Sequence, residues 1–181
     1  MAVASRTFAL FILFWFTISW ANYALSSEQS ERYLGKNLGQ KLLTIEAMDD
    51  KSQALALITL LSEDTTLSTL NRLSVLATQS KIYHRLGRLD KAIDIAQQEQ
   101  KLANDFDFRQ IAADASKRVG VYAYYKGNNR LALSSYQQAL NYYLTVNAPI
   151  AQANLYNNIA LVHAATAKLE NALQSYQQAQ P

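Results

Sequence analysis

The side chains best suited to chemistry are two histidines, His84 and His163. A histidine acts as a general base or binds a metal ion when a second ligand or an orienting carboxylate lies within reach. The sequence contains no cysteine, and neither histidine belongs to a short cluster of His, Asp and Glu at metal-ligand spacing. We therefore predict no metal site and no nucleophile. His163 is expected to pack inside the fold, and His84 is the better candidate for ligand contact.

Paired carboxylates occur at Asp49-Asp50 and at Glu63-Asp64. Two neighbouring carboxyl groups can share acid and base roles in catalysis. Here both pairs lie in polar segments between apolar stretches, where acidic residues ordinarily cap helices. The chain has only five glycines, and none of them forms a Gly-rich phosphate loop. The sequence thus predicts no catalytic residues, no cofactor and no enzyme within these 181 residues.

The charge balance and the missing cysteines restrict the class of partner and the compartment. The chain carries 17 Lys and Arg against 14 Asp and Glu, a formal charge of +3, which is too weak a bias to argue for nucleic acid. Without cysteine no disulfide can form, so the stability of an exported chain would depend on packing alone. That favours a bacterial periplasm over a disulfide-stapled extracellular scaffold.

The N-terminal segment has the features of an export signal. Arg6 precedes an apolar run, Phe8–Trp20, which is shorter than the roughly 20 residues needed to span a bilayer. Ser19 and Ala21 suit cleavage after Ala21, with Ala24 as the second choice. We predict a signal peptide over residues 1–21, followed by a polar lead-in at 25–34. The alternative is an uncleaved N-terminal anchor; either one places the remaining chain outside the cytoplasm.

One five-residue segment occurs twice: Ser135–Ala139 is identical to Ser175–Ala179, 40 residues further on. Other small residues follow the same spacing, namely Ala92, Ala132 and Ala172, and Gly87, Gly127 and Ala167. Identity at a fixed period is typical of repeat architectures, in which several units build one surface.

Apolar periodicity and the scarcity of Gly and Pro predict helices throughout. Residues 35–68 are expected to form one helical hairpin, with a turn at Asp49-Asp50-Lys51. Gly87 and Gly127 are expected to end helices in the left-handed conformation. The further helices are predicted at 67–86, 90–104, 106–126, 130–146, 151–167 and from 169 onward.

Small and large residues alternate at matching places in three successive units. In order along each unit they are Leu76, Gln79-Ser80, Tyr83, Ala92, Ala96 and Glu99; Ser116, Val119-Gly120, Ala123, Ala132, Tyr136 and Ala139; and Tyr156, Ile159-Ala160, His163, Ala172, Tyr176 and Ala179. This pattern resembles the tetratricopeptide repeat family, although the spacing of 40 exceeds the family's usual period of about 34.

That resemblance implies an all-α, right-handed superhelical solenoid of antiparallel helix hairpins. It covers the chain from about Gly35, with a degenerate hairpin at 35–68 and three repeats at 69–181, the last one truncated. The residues expected to pack between helices are Ala92, Ala132, Tyr136, Ala139, Ala172, Tyr176 and Ala179, with Gly87 and Gly127 at the turns.

The resemblance also implies a ligand surface on the first helix of each repeat. Basic groups beside tyrosines would suit an acidic segment, and asparagine amides would suit a peptide backbone. The alternative is that these polar residues are merely solvated or satisfy neighbouring backbone groups. The residues expected on this surface are Lys81, His84 and Arg85; Lys117, Val121, Tyr124 and Tyr125; Asn157, Asn158 and Leu161; and additionally Arg118.

Taken together, these features predict a non-catalytic module that binds a protein or peptide. Long-period repeats of this kind are similar to the extracytoplasmic regions of bacterial sensory proteins. We therefore expect a periplasmic ligand-sensing input region, followed beyond residue 181 by a diguanylate cyclase or histidine kinase output. The absence of a polar capping helix after Ala179 supports this expectation. The alternative is a stand-alone periplasmic adaptor that scaffolds an envelope complex.

Overall fold

The computed structural model describes residues 37–180. The predicted signal peptide, both possible cleavage positions and the lead-in at 25–34 lie outside the described residues. Within 37–180 the structure contains eight α-helices and no strand. They are α1 Leu38–Ala47, α2 Lys51–Ser62, α3 Thr69–Arg85, α4 Leu89–Asp105, α5 Arg109–Tyr125, α6 Asn129–Thr145, α7 Pro149–Ala165 and α8 Leu169–Gln178. The predicted all-α class is confirmed.

The chain divides into two compact units, one ending at Leu43 and one beginning at Thr44. The described part of the first unit is the start of α1. In the second unit each helix from α2 to α8 packs against the next one, and α5 also packs against α3 and α7. This is a stack of antiparallel helix hairpins, in which α3, α5 and α7 are the first helices and α4, α6 and α8 the second helices. None of the helices in 37–180 is both long and apolar enough to cross a membrane.

Five successive turns share one backbone conformation. Their left-handed residues are spaced 20 apart: Gly87 (φ 69°), Asp107 (58°), Gly127 (81°), Asn147 (49°) and Ala167 (57°). In each turn the next backbone N–H donates to the carbonyl five residues earlier, at 2.8–3.1 Å. This hydrogen bond satisfies a carbonyl that the helix end would leave unpaired. The 40-residue sequence spacing therefore corresponds to two helix–turn units of equal length.

Three sequence-based helix boundaries were wrong, and the turns explain each error. Helix α5 begins at Arg109 rather than at 106, because Asp107 takes up the turn. Helix α7 begins at Pro149 rather than at 151, since the first helical position needs no N–H donor. Ala167 lies in a left-handed turn, and α7 ends two residues before it.

Small residues let the helices approach closely in the core. Ala92, Ala132 and Ala139 are completely buried, and Ala172 nearly so. Gly120 of α5 lies against the ring of the buried Tyr136, so a Cβ built on it would stand 2.6 Å from two ring carbons. The backbone of α5 at Gly120 therefore packs directly against the ring of Tyr136 on α6.

Tyr176 and Ala179 are less buried than their equivalents Tyr136 and Ala139. Tyr176 is 39% exposed and Ala179 is partly exposed. Helix α6 packs against both α5 and α7, whereas among the described helices α8 packs mainly against α7. The same side chain is therefore covered in one repeat and open in the next.

Candidate functional site

The residues predicted to contact a ligand all lie on the first helices α3, α5 and α7, which pack side by side. We call these residues the first-helix surface. In the 40-residue register, Lys81, Val121 and Leu161 occupy equivalent positions. Val121 packs partly into the core, whereas Leu161 is 44% exposed. The character of the surface thus changes from one repeat to the next.

An aromatic cluster joins α3 to α5. The imidazole of His84 stacks on Tyr122, with ring centroids 4.8 Å apart and planes inclined by 23°. It also lies 5.2 Å from the ring of Tyr125, which in turn lies 6.0 Å from that of Tyr124. Tyr125 is 65% exposed, whereas Tyr122 is buried and forms the floor of the cluster. We refer to these four residues as the aromatic cluster.

Partial burial of His84, assisted by the neighbouring Arg85 charge, lowers the pKa of its imidazole. His84 is therefore neutral at neutral pH and keeps one donor and one acceptor nitrogen. Tyr122 was not predicted as a site residue. Only the tertiary structure places the imidazole of His84 on top of its ring.

Two cations beside the cluster share a single carboxylate. Lys81 Nζ lies 3.0 Å from Glu46 Oε2, and a guanidinium nitrogen of Arg85 lies 3.6 Å from Glu46 Oε1. Arg85 also donates a hydrogen bond to the backbone carbonyl of Glu46. The Lys81 and Arg85 side chains are 42% and 41% exposed. Exposed ion pairs are weak, so these cations remain able to contact an incoming anion.

The next cation along the surface, Lys117, belongs to a second polar group. Its Nζ lies 3.8 Å from Asp114 Oδ1, and the same oxygen accepts a 2.7 Å hydrogen bond from the Tyr143 hydroxyl. Lys117 is 38% exposed. The Asp114 carboxylate thus contacts the Lys117 ammonium group, while the Tyr143 hydroxyl of α6 holds that carboxylate in place.

Arg118 does not belong to the first-helix surface. Its side chain is 19% exposed and its Nη2 lies 2.5 Å from Oε1 of Glu99, which is 1% exposed. Burial raises the pKa of Glu99, and the Arg118 charge and hydrogen bond oppose that shift. Among the described residues, Glu99 Oε2 and Arg118 Nε are buried without a hydrogen-bond partner. The Arg118 guanidinium is therefore directed at buried Glu99 instead of at the first-helix surface.

Helix α7 continues the surface with neutral amides. Asn157 is exposed and Asn158 partly buried, at the positions equivalent to Lys117 and Arg118. His163 is partly buried, and its Nδ1 is buried without a hydrogen-bond partner within residues 37–180. In the same range no three His, Asp or Glu side chains stand close enough to hold a metal ion. The arrangement offers cations, aromatic faces and amides, which are groups suited to recognition.

Comparisons with known proteins bear on the fold. The sequence matches no family model, and no curated protein matches it significantly. BtubC (BKLC) from P. vanneervenii aligns with a TM-score of 0.70 at 16% identity, covering 88% of this chain and 70% of that chain. MamA of MSR-1 aligns at 0.33 with 15% identity, over 82% of this chain and 94% of that chain. MamA of AMB-1 aligns with a TM-score of 0.32 at 14% identity, covering 84% of this chain and 91% of that chain.

The two MamA alignments are too poor to carry an argument. The likeness to BtubC, at its low identity, shows the fold alone. The chain is therefore similar in fold to BtubC, as an all-α solenoid of antiparallel helix hairpins.

Proposed function

We propose that this chain is a non-catalytic binding module, which holds an acidic segment of a protein partner on the first-helix surface. The observation that carries the proposal is the aromatic cluster of His84, Tyr122, Tyr124 and Tyr125, flanked by Lys81 and Arg85. Because one carboxylate serves both of these cations, the patch keeps a local excess of positive charge. A partner carboxylate would be attracted there, with apolar contact to the exposed Tyr125 ring.

The neutral amides of α7 would extend the site. Asn157 can both donate to and accept from an extended peptide backbone, and it lies two repeats beyond Lys81 and Arg85 and one beyond Lys117. A peptide that contacts α3, α5 and α7 would restrain three neighbouring repeats at once. Since each repeat of a solenoid is stabilised mainly by its neighbours, such a ligand would stiffen the stack. Signalling would follow only if the ligand binds two forms of the stack with different affinity.

We propose, more specifically, that the chain is a periplasmic sensing region of a membrane signalling protein. The apolar run Phe8–Trp20 supports export, and the absence of cysteine favours a periplasm over a disulfide-stapled extracellular scaffold. A fusion of residues 1–36 to alkaline phosphatase, which is active only outside the cytoplasm, tests this part. We expect phosphatase activity, and we expect its loss when Leu10 and Leu13 are both changed to Arg. An inactive parent fusion would contradict export.

Peptide selection tests the binding proposal. We expect random dodecapeptides selected on the purified chain to be enriched in Asp and Glu. Arg85→Glu and Lys117→Glu should each weaken binding of a selected peptide by about tenfold. Lys101→Glu, on the exposed side of α4, is the matched control and should not. All three variants should keep the helical circular dichroism of the wild type. Selection without acidic enrichment, or equal loss in all three variants, would show that the first-helix surface is not the binding site.

A further inference from the structure

The turns of the stack form two opposite edges. Helices α3 to α7 each have 17 residues and pack antiparallel to their neighbours, so alternate turns lie at the same edge. One edge contains the α2–α3, α4–α5 and α6–α7 turns, and an open cavity of about 600 Å³ touches both Asp107 and Val146 there. The other edge contains the α3–α4, α5–α6 and α7–α8 turns, where Lys126 is ion-paired with Asp90.

The edge formed by the α2–α3, α4–α5 and α6–α7 turns exposes large apolar side chains, and we call it the apolar edge. Two pairs of them are equivalent in the 40-residue register, so the apolar character recurs from one repeat to another. Grouped apolar side chains of this kind on a protein surface mark an interaction site. The exposed apolar residues of this edge are Leu70, Phe106, Leu144, Val146 and Ile150.

Acidic groups accompany these apolar residues. Glu63 follows the last turn of α2 and Asp105 ends α4, and both are exposed. Within residues 37–180 neither carboxylate has an ion-pair partner, whereas Asp107 is already paired. Arg72 and Lys101 lie about one helical turn farther along their helices. The turns of the apolar edge therefore carry a net negative charge.

The opposite edge is positively charged, and we call it the basic edge. Lys126 is paired there with Asp90, but among the described residues the other four cations of its three turns have no ion-pair partner. Tyr125 and Leu169 are exposed at the same turns. The α1–α2 turn, with Asp49 and Asp50, is acidic and is not part of the basic edge. The exposed cations of the basic edge are Arg88, Lys91, Lys126, Arg130 and Lys168.

We propose that the basic edge of one copy of this chain binds the apolar edge of a second copy. The unpaired cations then face unpaired carboxylates, and Tyr125 and Leu169 cover apolar side chains that are otherwise in contact with water. Two copies of the same edge would bring like charges together, so the contact joins unlike edges. Because the edges lie at opposite ends of the helices, each copy of a pair keeps one edge free for a third. The expected product is an open chain of copies.

Sedimentation velocity of the purified protein at a series of concentrations tests the proposal. We expect the average mass to rise continuously with protein concentration. It should fall when the salt concentration is raised from about 0.05 M to about 0.5 M, because salt screens the attraction between the edges.

Two double variants reverse the charge of one edge each. Lys91→Glu with Arg130→Glu changes the basic edge, and Glu63→Lys with Asp105→Lys changes the apolar edge. Each should weaken self-association by about tenfold or more. Both should keep the helical circular dichroism of the wild type, because the new charges suit the helix ends at which they lie.

Mixing the two double variants separates a specific contact from a general effect of charge. The unchanged basic edge of one variant then meets the unchanged apolar edge of the other, and the two reversed edges are complementary as well. We therefore expect the mixture to assemble although neither variant assembles alone. Lys117→Glu, at the middle of α5, is the control. It should leave self-association unchanged, so failure of the first-helix proposal would be seen separately.

Three results would each overturn the proposal. The first is self-association that persists in both double variants, and the second is a mixture of them that stays monomeric. The third is a wild-type protein that stays monomeric up to about 1 mM. If that monomer bound phosphatidylglycerol vesicles and the Lys91→Glu, Arg130→Glu variant did not, the basic edge would be assigned to a lipid surface instead.

Discussion

Glu99 occupies a position where the other two repeats carry alanine, at Ala139 and Ala179. A carboxylate taken out of water in this way is costly unless a cation accompanies it, because burial weakens its hydration. Arg118 of α5 supplies that cation at 2.5 Å. In this repeat an ion pair thus links α4 to α5, at the position where the other two repeats have a small alanine side chain.

Stability should depend on pH through Glu99. Because its pKa is raised in the folded protein, the folded state keeps a proton that the unfolded chain has already released. The free energy of unfolding therefore falls as pH rises from the ordinary glutamate pKa through the raised one. Arg118→Met should raise that pKa further and cost about 3–5 kcal/mol at neutral pH. Urea denaturation at mildly acidic and neutral pH measures both effects.

Two controls accompany that measurement. Lys117→Met breaks an exposed pair and should cost less than about 1 kcal/mol. Adding Glu99→Ala to Arg118→Met should recover much of the loss, since no buried charge then remains. A single Arg118→Met variant that is as stable at neutral as at acidic pH would refute the assignment.

A second residue-scale prediction concerns Gly120. A Cβ there would stand 2.6 Å from the ring of Tyr136, and this ring is 2% exposed and has little room to move. Gly120→Ala should therefore destabilise the protein by about 1–3 kcal/mol. In Gly39→Ala the new Cβ meets only Asn37 Oδ1 at 3.6 Å, so the gain in helix propensity should prevail. Denaturation curves that rank the two variants in the opposite order would show that the α5–α6 approach is looser.

At the scale of the elements, the five turns are alike in conformation but not in sequence. Glycine takes the left-handed position in two turns, and Asp107, Asn147 and Ala167 take it in the other three. Aspartate and asparagine tolerate this conformation better than alanine does, because their side chains can hydrogen-bond locally. Ala167 is therefore the most strained of the five positions.

Exchanging glycine and alanine at the turns should have opposite effects. Ala167→Gly should stabilise the protein by up to about 1 kcal/mol, because it removes a left-handed alanine. Gly127→Ala should destabilise it by about 1 kcal/mol. A Cβ on Gly127 meets no atom within 4 Å, so the second change reports backbone strain alone. Thermal unfolding of both variants is the measurement, and equal signs would contradict a common turn geometry.

At the scale of the whole molecule, the position of a side chain within the stack determines how much it contributes to stability. Ile93, Leu133 and Leu173 are equivalent in the 40-residue register. Ile93 is 6% exposed and Leu173 61%, while Leu133 is partly buried against the core. Neighbouring repeats supply most of the buried area in a solenoid. Equivalent residues should therefore differ in energetic importance.

Truncation of these three side chains tests that statement. Ile93→Ala should cost about 2–4 kcal/mol, Leu133→Ala about half as much, and Leu173→Ala less than about 0.5 kcal/mol. Urea denaturation under one set of conditions gives all three values. Equal costs would show that Leu173 is covered in solution, contrary to its exposure in the structure.

Much of the fold could be predicted from local sequence, and much of the site could not. Gly87 and Gly127 mark helix ends because a left-handed turn favours glycine, and Ala92, Ala132 and Ala172 mark close helix contacts. The break at Asn147 was predicted, between the helices at 130–146 and 151–167, whereas the turn at Asp107 was placed about two residues too early because no glycine marks its left-handed position. Glu46 was not recognised either, since 35 residues separate it from Lys81 and no local pattern links them.

The sequence by itself determined the all-α class, the order of the helices and the 40-residue register, because turn conformation and helix periodicity depend on residues close together in the chain. Tertiary structure alone decided that His84 stacks on Tyr122 and that Arg118 turns inward to Glu99. Both contacts depend on which side chain the neighbouring helix places opposite, and the sequence pattern within one helix does not specify that side chain.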